Sequence, residues 1–65
     1  MQLTINGEMK QTSSKTIEAL LLELGIEEKV MAAAVNMNVV KKDVWDSFPL
    51  TENDRVEFLQ FVGGG

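Results

Sequence analysis

The chain has 65 residues, of which 45% are hydrophobic, and its ten acidic and six basic residues give a formal net charge of −4. It contains no cysteine and no histidine, so it lacks the residues for a disulfide framework, for thiol chemistry and for the commonest general base. The acidic balance argues against nucleic-acid binding, and we find neither a membrane-spanning apolar run nor a signal peptide. We therefore expect one small cytoplasmic domain, with no catalytic residue of its own.

The first predicted elements form a β-hairpin. Between Met1 and Ile5 apolar and polar residues alternate, which is the period of a strand with one buried face. Asn6-Gly7 predicts a type I′ turn, because both central positions of that turn need positive φ. The returning strand, residues 8–12, has Met9 as its one apolar residue, so we expect it at the edge of a sheet.

An apolar stripe then predicts one amphipathic helix. Its members recur at the spacing i, i+3, i+4 and i+7 and are Ile17, Leu20, Leu21 and Leu24. Thr16 is the expected N-cap, and Gly25 is placed to end the helix. Leu22 points away from the stripe, so we expect its side chain to be exposed.

The middle of the chain predicts two further strands and a bulky contribution to the core. Residues 30–35 are apolar at every position, and the shortness of this run favours a strand that is buried on both faces over a helix. Val39-Val40 predicts a short return strand, after which Lys41-Lys42-Asp43 carries the chain into solvent. The bulky residues expected to complete one side of the core are Trp45, Phe48 and Leu50, and Pro49 confines this segment to an edge or a loop.

A last strand is predicted over residues 56–62, after a turn in which Asn53 accepts a left-handed conformation. We assign Val56 and Phe58 to the core face, which leaves two large apolar residues, Leu59 and Phe61, on the other face. Exposed apolar groups of this size favour a docking surface made of Leu59 and Phe61, with Val62 at its rim. The order of elements predicts an α+β fold, in which a mixed sheet of four to five strands is covered on one face by a single helix.

The sequence ends in three glycines, Gly63, Gly64 and Gly65. Glycine forms the thinnest chain, and at roughly 3.5 Å per residue this segment reaches about 10 Å, enough to enter a narrow active site of another protein. A frayed end without a role is the alternative. We divide the chain into a folded domain, residues 1–62, and a flexible glycine tail, residues 63–65.

Several short segments together resemble the ThiS family, the sulfur carriers of thiamine thiazole biosynthesis in the ubiquitin-like β-grasp group. They are Asn6-Gly7, residues 16–21 at the start of the helix, Val35-Asn36, residues 53–56, and Phe61-Val62-Gly63-Gly64-Gly65. The resemblance implies a β-grasp fold and a working group at the Gly65 carboxylate. A ThiF-like adenylyltransferase would use ATP and magnesium to convert this group to an acyl-adenylate. A persulfide sulfur donor would then yield a thiocarboxylate, whose sulfur the thiazole synthase ThiG accepts.

Two alternatives to this family remain open from the sequence. The first is the MoaD-like sulfur carrier of molybdopterin synthesis, which shares the tail chemistry but is typically longer. The second is a plain β-grasp interaction module with an inert tail. In each case we expect a monomer when free, with no bound cofactor and no metal site, since the carboxylates match no calcium-loop spacing.

Overall fold

The computed structural model describes residues 1–61, whose strands form one mixed sheet packed against one helix. The strands are β1 (Gln2–Ile5), β2 (Glu8–Gln11), β3 (Val30–Val35), β4 (Asn38–Val40) and β5 (Arg55–Gln60), and the helix α1 spans Ile17–Leu24. A 3-10 helix, Lys42–Val44, lies between β4 and β5. The predicted α+β order of elements is confirmed. The predicted tail, residues 63–65, and Val62 lie outside the described residues.

The strand order across the sheet is β2-β1-β5-β3-β4, so the last strand of the chain lies at the centre. β1 and β5 run parallel, whereas β1 with β2, β3 with β4 and β3 with β5 are antiparallel pairs. The prediction that the second strand forms an edge is confirmed. A central strand is hydrogen-bonded to a neighbour on each side, so β5 is a fixed support for a functional segment that follows it.

Residues with positive φ occur at the predicted turns. Asn6 and Gly7 have φ values of 49° and 85°, which confirms the type I′ hairpin turn. Asn53 has a φ of 69°, as expected for the turn before β5. A further left-handed pair, Asn36 and Met37 with φ values of 50° and 71°, joins β3 to β4. The polar and glycine residues of these turns thus set the lengths of the strands around them.

The two ends of α1 follow the predicted caps. The Thr16 hydroxyl accepts a hydrogen bond of 3.1 Å from the amide of Ala19, and so satisfies one of the free amides of the first turn. Gly25 ends the helix at a φ of 70°, a left-handed conformation that costs glycine little. The stripe residues Ile17, Leu20 and Leu21 are buried, Leu24 is half-buried and Leu22 is exposed, as predicted.

The core lies between α1 and the face of the sheet that α1 covers. Its buried strand residues are Leu3, Val30, Ala33, Val35, Val40, Val56 and Phe58. Trp45 and Leu50 are also buried, and Phe48 packs against them, so the predicted bulky contribution is confirmed. The Trp45 indole donates a hydrogen bond of 2.8 Å to the carbonyl of Val40. The 3-10 helix that places Trp45 was not predicted, because a three-residue turn leaves no periodic pattern in a sequence.

A polar cluster around Glu23 joins the first hairpin to α1. The Glu23 carboxylate accepts hydrogen bonds from the hydroxyls of Ser14 and Thr12, and the ammonium group of Lys10 lies 3.8 Å away. The Ser14 hydroxyl is the main cause of a lowered pKa for Glu23, followed by the Thr12 hydroxyl, because both stabilise the charged form. Thr12 therefore serves as a buried anchor after β2, although the sequence assigned it to the strand.

No helix within residues 1–61 is long and apolar enough to cross a membrane.

Candidate functional site

The two faces of β5 differ sharply in burial. Val56 and Phe58 are 0% and 7% exposed and pack in the core, whereas Leu59 and Phe61 are 60% and 64% exposed. The alternation of a β-strand explains this difference, because successive side chains point to opposite faces. The predicted assignment of faces is confirmed: two large apolar side chains stand in solvent at the end of the chain that leads to the glycines.

β5 ends at Gln60, two residues before the end that the apolar pattern predicted. The amide of Phe61 still donates a hydrogen bond of 2.6 Å to the carbonyl of Lys29, the residue before β3. The backbone of Phe61 is therefore held to the sheet although it lies beyond the strand. The placement of Val62 at the rim and of the glycine segment stays a prediction, since these residues lie outside the described part.

Further apolar residues lie on the face of the sheet that α1 does not cover, which we call the open face. Ala32 pairs with Leu59, Ala34 pairs with both Glu57 and Val39, and Val39 is 79% exposed. Met31, beside Ala32, is also exposed. The sequence did not predict Met31 as a surface residue, because a run of six apolar residues, 30–35, suggested burial on both faces. β3 is covered on one face alone, and this expectation was wrong. Val39 was predicted in a short return strand, and no face was assigned to it.

A set of polar side chains fixes the start of β5 to the two neighbouring turns. The Asn36 amide group donates to the carboxylate of Asp54 at 2.9 Å, and its oxygen accepts from the amide of Arg55 at 3.0 Å. At the other turn, the Asn6 oxygen accepts from the amide of Phe58 at 2.8 Å. Several of the segments that carry the family resemblance therefore meet at one end of the sheet, where their role is to hold β5 in register.

The buried carboxylate of Asp54 is stabilised in its charged form. Burial is the largest single influence and raises the pKa of Asp54. Hydrogen bonds from the backbone amide of Thr51 and from the side chains of Asn36 and Thr51 lower it, and together they outweigh burial, so the pKa is below the ordinary value of 3.8. A general acid needs a raised pKa, whereas fixed hydrogen-bond donors lower the pKa of this carboxyl and keep it ionised. Such a carboxylate has a structural role. We assign Asp54 to the support of β5.

A groove lies on the helical side of the described residues, away from the open face. It has a volume of about 390 Å³ and is lined by Glu18, Leu21, Glu27, Lys42, Asp43, Trp45 and Asp46. Its carboxylates are mostly exposed, and within residues 1–61 no group of three acidic, histidine or cysteine side chains could hold a metal ion. The groove offers neither a thiol nor an imidazole, since the sequence has neither cysteine nor histidine.

The chain matches one protein family over nearly its whole length. The model of the ThiS family matches residues 3–65. The chain is 31% identical to the sulfur carrier protein ThiS of Bacillus subtilis, over 97% of this chain and 98% of that protein. A crystal structure of the thiamine biosynthesis protein ThiS from Geobacter metallireducens has a TM-score of 0.81 and 31% identity, and the whole of both chains is covered.

A second kind of relative is much longer. Over its whole length the chain is 39% identical to a segment of the thiazole synthase of Paramagnetospirillum magneticum. It spans 20% of the length of that protein. A segment similar to the whole of this chain thus occurs within a larger biosynthetic enzyme.

Proposed function

The chain belongs to the ThiS family, with its β-grasp fold, and from that premise we propose that it is a sulfur carrier of thiamine biosynthesis whose Gly65 carboxylate carries the sulfur. The observation that carries the proposal is the extent of the family match, residues 3–65, which includes Gly63, Gly64 and Gly65. The chain has no cysteine that could hold the sulfur as a persulfide, so a carboxyl carbon is the expected point of attachment.

Activation of the carboxylate must come first. A carboxylate is a poor electrophile, because its negative charge repels nucleophiles and oxide is a bad leaving group. Attack of the Gly65 carboxylate on the α-phosphorus of ATP forms an acyl-adenylate and releases pyrophosphate. The magnesium ion and cationic groups that stabilise the phosphoryl charge belong to the activating partner, a ThiF-like adenylyltransferase.

Sulfur transfer then proceeds through partners that supply thiols. A persulfide attacks the acyl carbon, AMP leaves, and an acyl disulfide remains. A second thiol cleaves the S–S bond, which leaves the thiocarboxylate at Gly65 and a disulfide on the donor side. Both thiols come from other proteins, because this chain has no cysteine.

We propose that Leu59 and Phe61, with Val62 at the rim, dock the carrier on its enzymes. Two large exposed apolar side chains next to the glycine segment support this proposal, because their burial against a partner would direct the glycines toward its active site. The hydrogen bond from the Phe61 amide to the Lys29 carbonyl further supports this docking proposal, because it fixes the backbone to which the last four residues are attached.

The acceptor of the sulfur in this proposal is a ThiG-like thiazole synthase, which we call the acceptor enzyme. It is supported by the thiazole synthase of Paramagnetospirillum magneticum, which carries a segment 39% identical to this chain. We expect a carrier-like segment and an acceptor enzyme to occur in one polypeptide when the two act on each other. The same observation favours thiazole synthesis over the molybdopterin pathway.

The first prediction is that activation depends on the last two glycines. The purified chain ending at Gly65 is incubated with a ThiF-like enzyme, magnesium and ATP, and exchange of labelled pyrophosphate into ATP is measured. We expect exchange with the native chain and none with a variant that ends at Gly63. The matched control is Leu22→Ser, an exposed position on α1 that should leave exchange unchanged. Normal exchange by the shortened variant would overturn the proposal.

A further inference from the structure

β3 contains one residue more than its partner strand needs. Val30 pairs with Gln60 and Ala32 pairs with Leu59, so Met31 is an extra residue opposite the single step from Leu59 to Gln60. This is a β-bulge, a local irregularity that leaves one residue unpaired and changes the direction of its side chain. The bulge lies at the end of the sheet where β5 leads into the last residues of the chain.

The bulge places Met31 on the open face. Val30 and Ala33 are 4% and 2% exposed and belong to the core. In a regular strand, residues three positions apart point to opposite faces, so both can face the core only because the bulge intervenes. Met31 is 59% exposed and lies beside Ala32, which faces Leu59 across the ladder.

The core does not require this extra residue. With Met31 deleted, Val30 and Ala33 would be two positions apart in a regular strand and would still share the core face. The pairs that join Val30 to Gln60 and Ala32 to Leu59 would also be kept. What the bulge adds to the molecule is an exposed methionine next to Leu59.

We propose that Met31 is a docking residue for the acceptor enzyme and forms, with Leu59 and Phe61, one apolar docking strip. This inference rests on the proposed function. The thiazole synthase is its occupant because a segment similar to this whole chain occurs within such an enzyme. A methionine suits a surface that must bind and release, since its unbranched side chain adapts to irregular apolar contacts.

The test measures the affinity of the full chain for the purified thiazole synthase of the same organism by isothermal titration calorimetry. Met31→Ser and the deletion of Met31 should each weaken binding about tenfold, the change produced by about 1.4 kcal/mol of lost burial. Met31→Leu should restore most of the affinity. Met9→Ser is the matched control, because Met9 is also an exposed methionine, at 72% against 59% for Met31, and lies on edge strand β2. This variant should bind as the native chain does.

A parallel variant, Leu59→Ser, separates this inference from the proposal on which it rests. If Leu59→Ser weakens binding but Met31→Ser and the deletion do not, the Met31 inference is overturned and the docking role of β5 stands. If neither position affects binding of a chain whose Gly65 is still adenylated, the whole docking strip is overturned and the carrier function stands. The melting temperatures of Met31→Ser and Leu59→Ser are measured on the same samples and should equal that of the native chain. Where Met31→Ser lowers the melting temperature, the deletion of Met31 decides the result, because it removes the same side chain by a second route.

Discussion

Asn36 and Asn6 act as fixed polar partners for the backbone of β5, and the Asp54 carboxylate holds the Asn36 side chain in place. Asn36 and Asp54 are 18 positions apart and bind each other directly, and Asn6 binds the amide of Phe58 across 52 positions. The sequence indicated that Asn6 and Asn53 lie in turns, because asparagine tolerates a left-handed backbone. It could not indicate these partners, since a hydrogen bond between distant residues depends on the completed sheet.

The second prediction concerns the charge of Asp54. Its pKa is lower in the folded chain than the ordinary value of 3.8, so its stabilising effect is present above that pH and is lost as the pH falls through the folded pKa. Asp54→Asn should reduce the free energy of unfolding by about 1–3 kcal/mol at pH 7, since hydrogen bonds to a charged group are lost. The difference from the native chain should shrink below pH 3.8, as the native carboxyl also becomes neutral.

Urea unfolding of both chains from pH 7 to pH 2.5 provides the measurement. Asp46→Asn is the control, because Asp46 is exposed and its replacement should change the free energy of unfolding by less than about 0.5 kcal/mol. A difference between Asp54→Asn and the native chain that stays constant over the whole pH range would contradict the role assigned to Asp54.

Strand β5 has a buried face and an exposed apolar face, and its sequence alternation was enough to separate them. The neighbouring strand β3 was harder, because its residues are apolar on both faces and its bulge reverses the alternation at Met31. No characteristic set of residues marks a β-bulge in a sequence. It is set by which residues the two strands bring opposite each other, so the exposure of Met31 could not be predicted from the local sequence.

The third prediction compares two adjacent residues of β5. Phe58→Ser should destabilise the domain by about 3–5 kcal/mol, because it empties a core position that is 7% exposed. Leu59→Ser should change the free energy of unfolding by less than about 1 kcal/mol, because Leu59 is 60% exposed, and should weaken the affinity for a partner enzyme instead. Thermal melting and binding of the same samples would distinguish the two effects. A collapse of stability in Leu59→Ser with intact affinity would place Leu59 in the core.

At the scale of the whole molecule, the core draws on most of the described chain. Its buried residues lie between Leu3 and Phe58. The sequence predicts that the glycine tail, residues 63–65, is separate from the folded domain, and this separation stays a prediction because residues 62–65 lie outside the described part. It did not predict the order of strands, because the parallel pairing of β1 with β5 joins the two ends of the chain and is not visible in a local pattern.

The fourth prediction follows from that separation. Gly64→Ala and Gly65→Ala should each reduce the rate of adenylation, because an added methyl group widens a segment that has to enter the active site of the activating enzyme. The melting temperature should stay within about 1 °C of the native value, since surface substitutions away from the core have small effects. A large fall in melting temperature would show that these glycines pack against the domain. A Gly25→Ala variant supplies the contrast, because Gly25 has a φ of 70° and its replacement should lower stability without affecting adenylation.

The central position of β5 bears on how the protein is synthesised. Because β5 lies between β1 and β3, the hairpins β1–β2 and β3–β4 cannot join into one sheet until residues 55–60 have left the ribosome. Isolated two-stranded hairpins are marginally stable, and pairing between distant segments forms late. A nascent or prematurely terminated chain without β5 is therefore an open target for proteases. Residues 62–65 are translated after β5, the strand that completes the sheet. A chain that presents these residues to an activating enzyme therefore already contains every strand of its sheet.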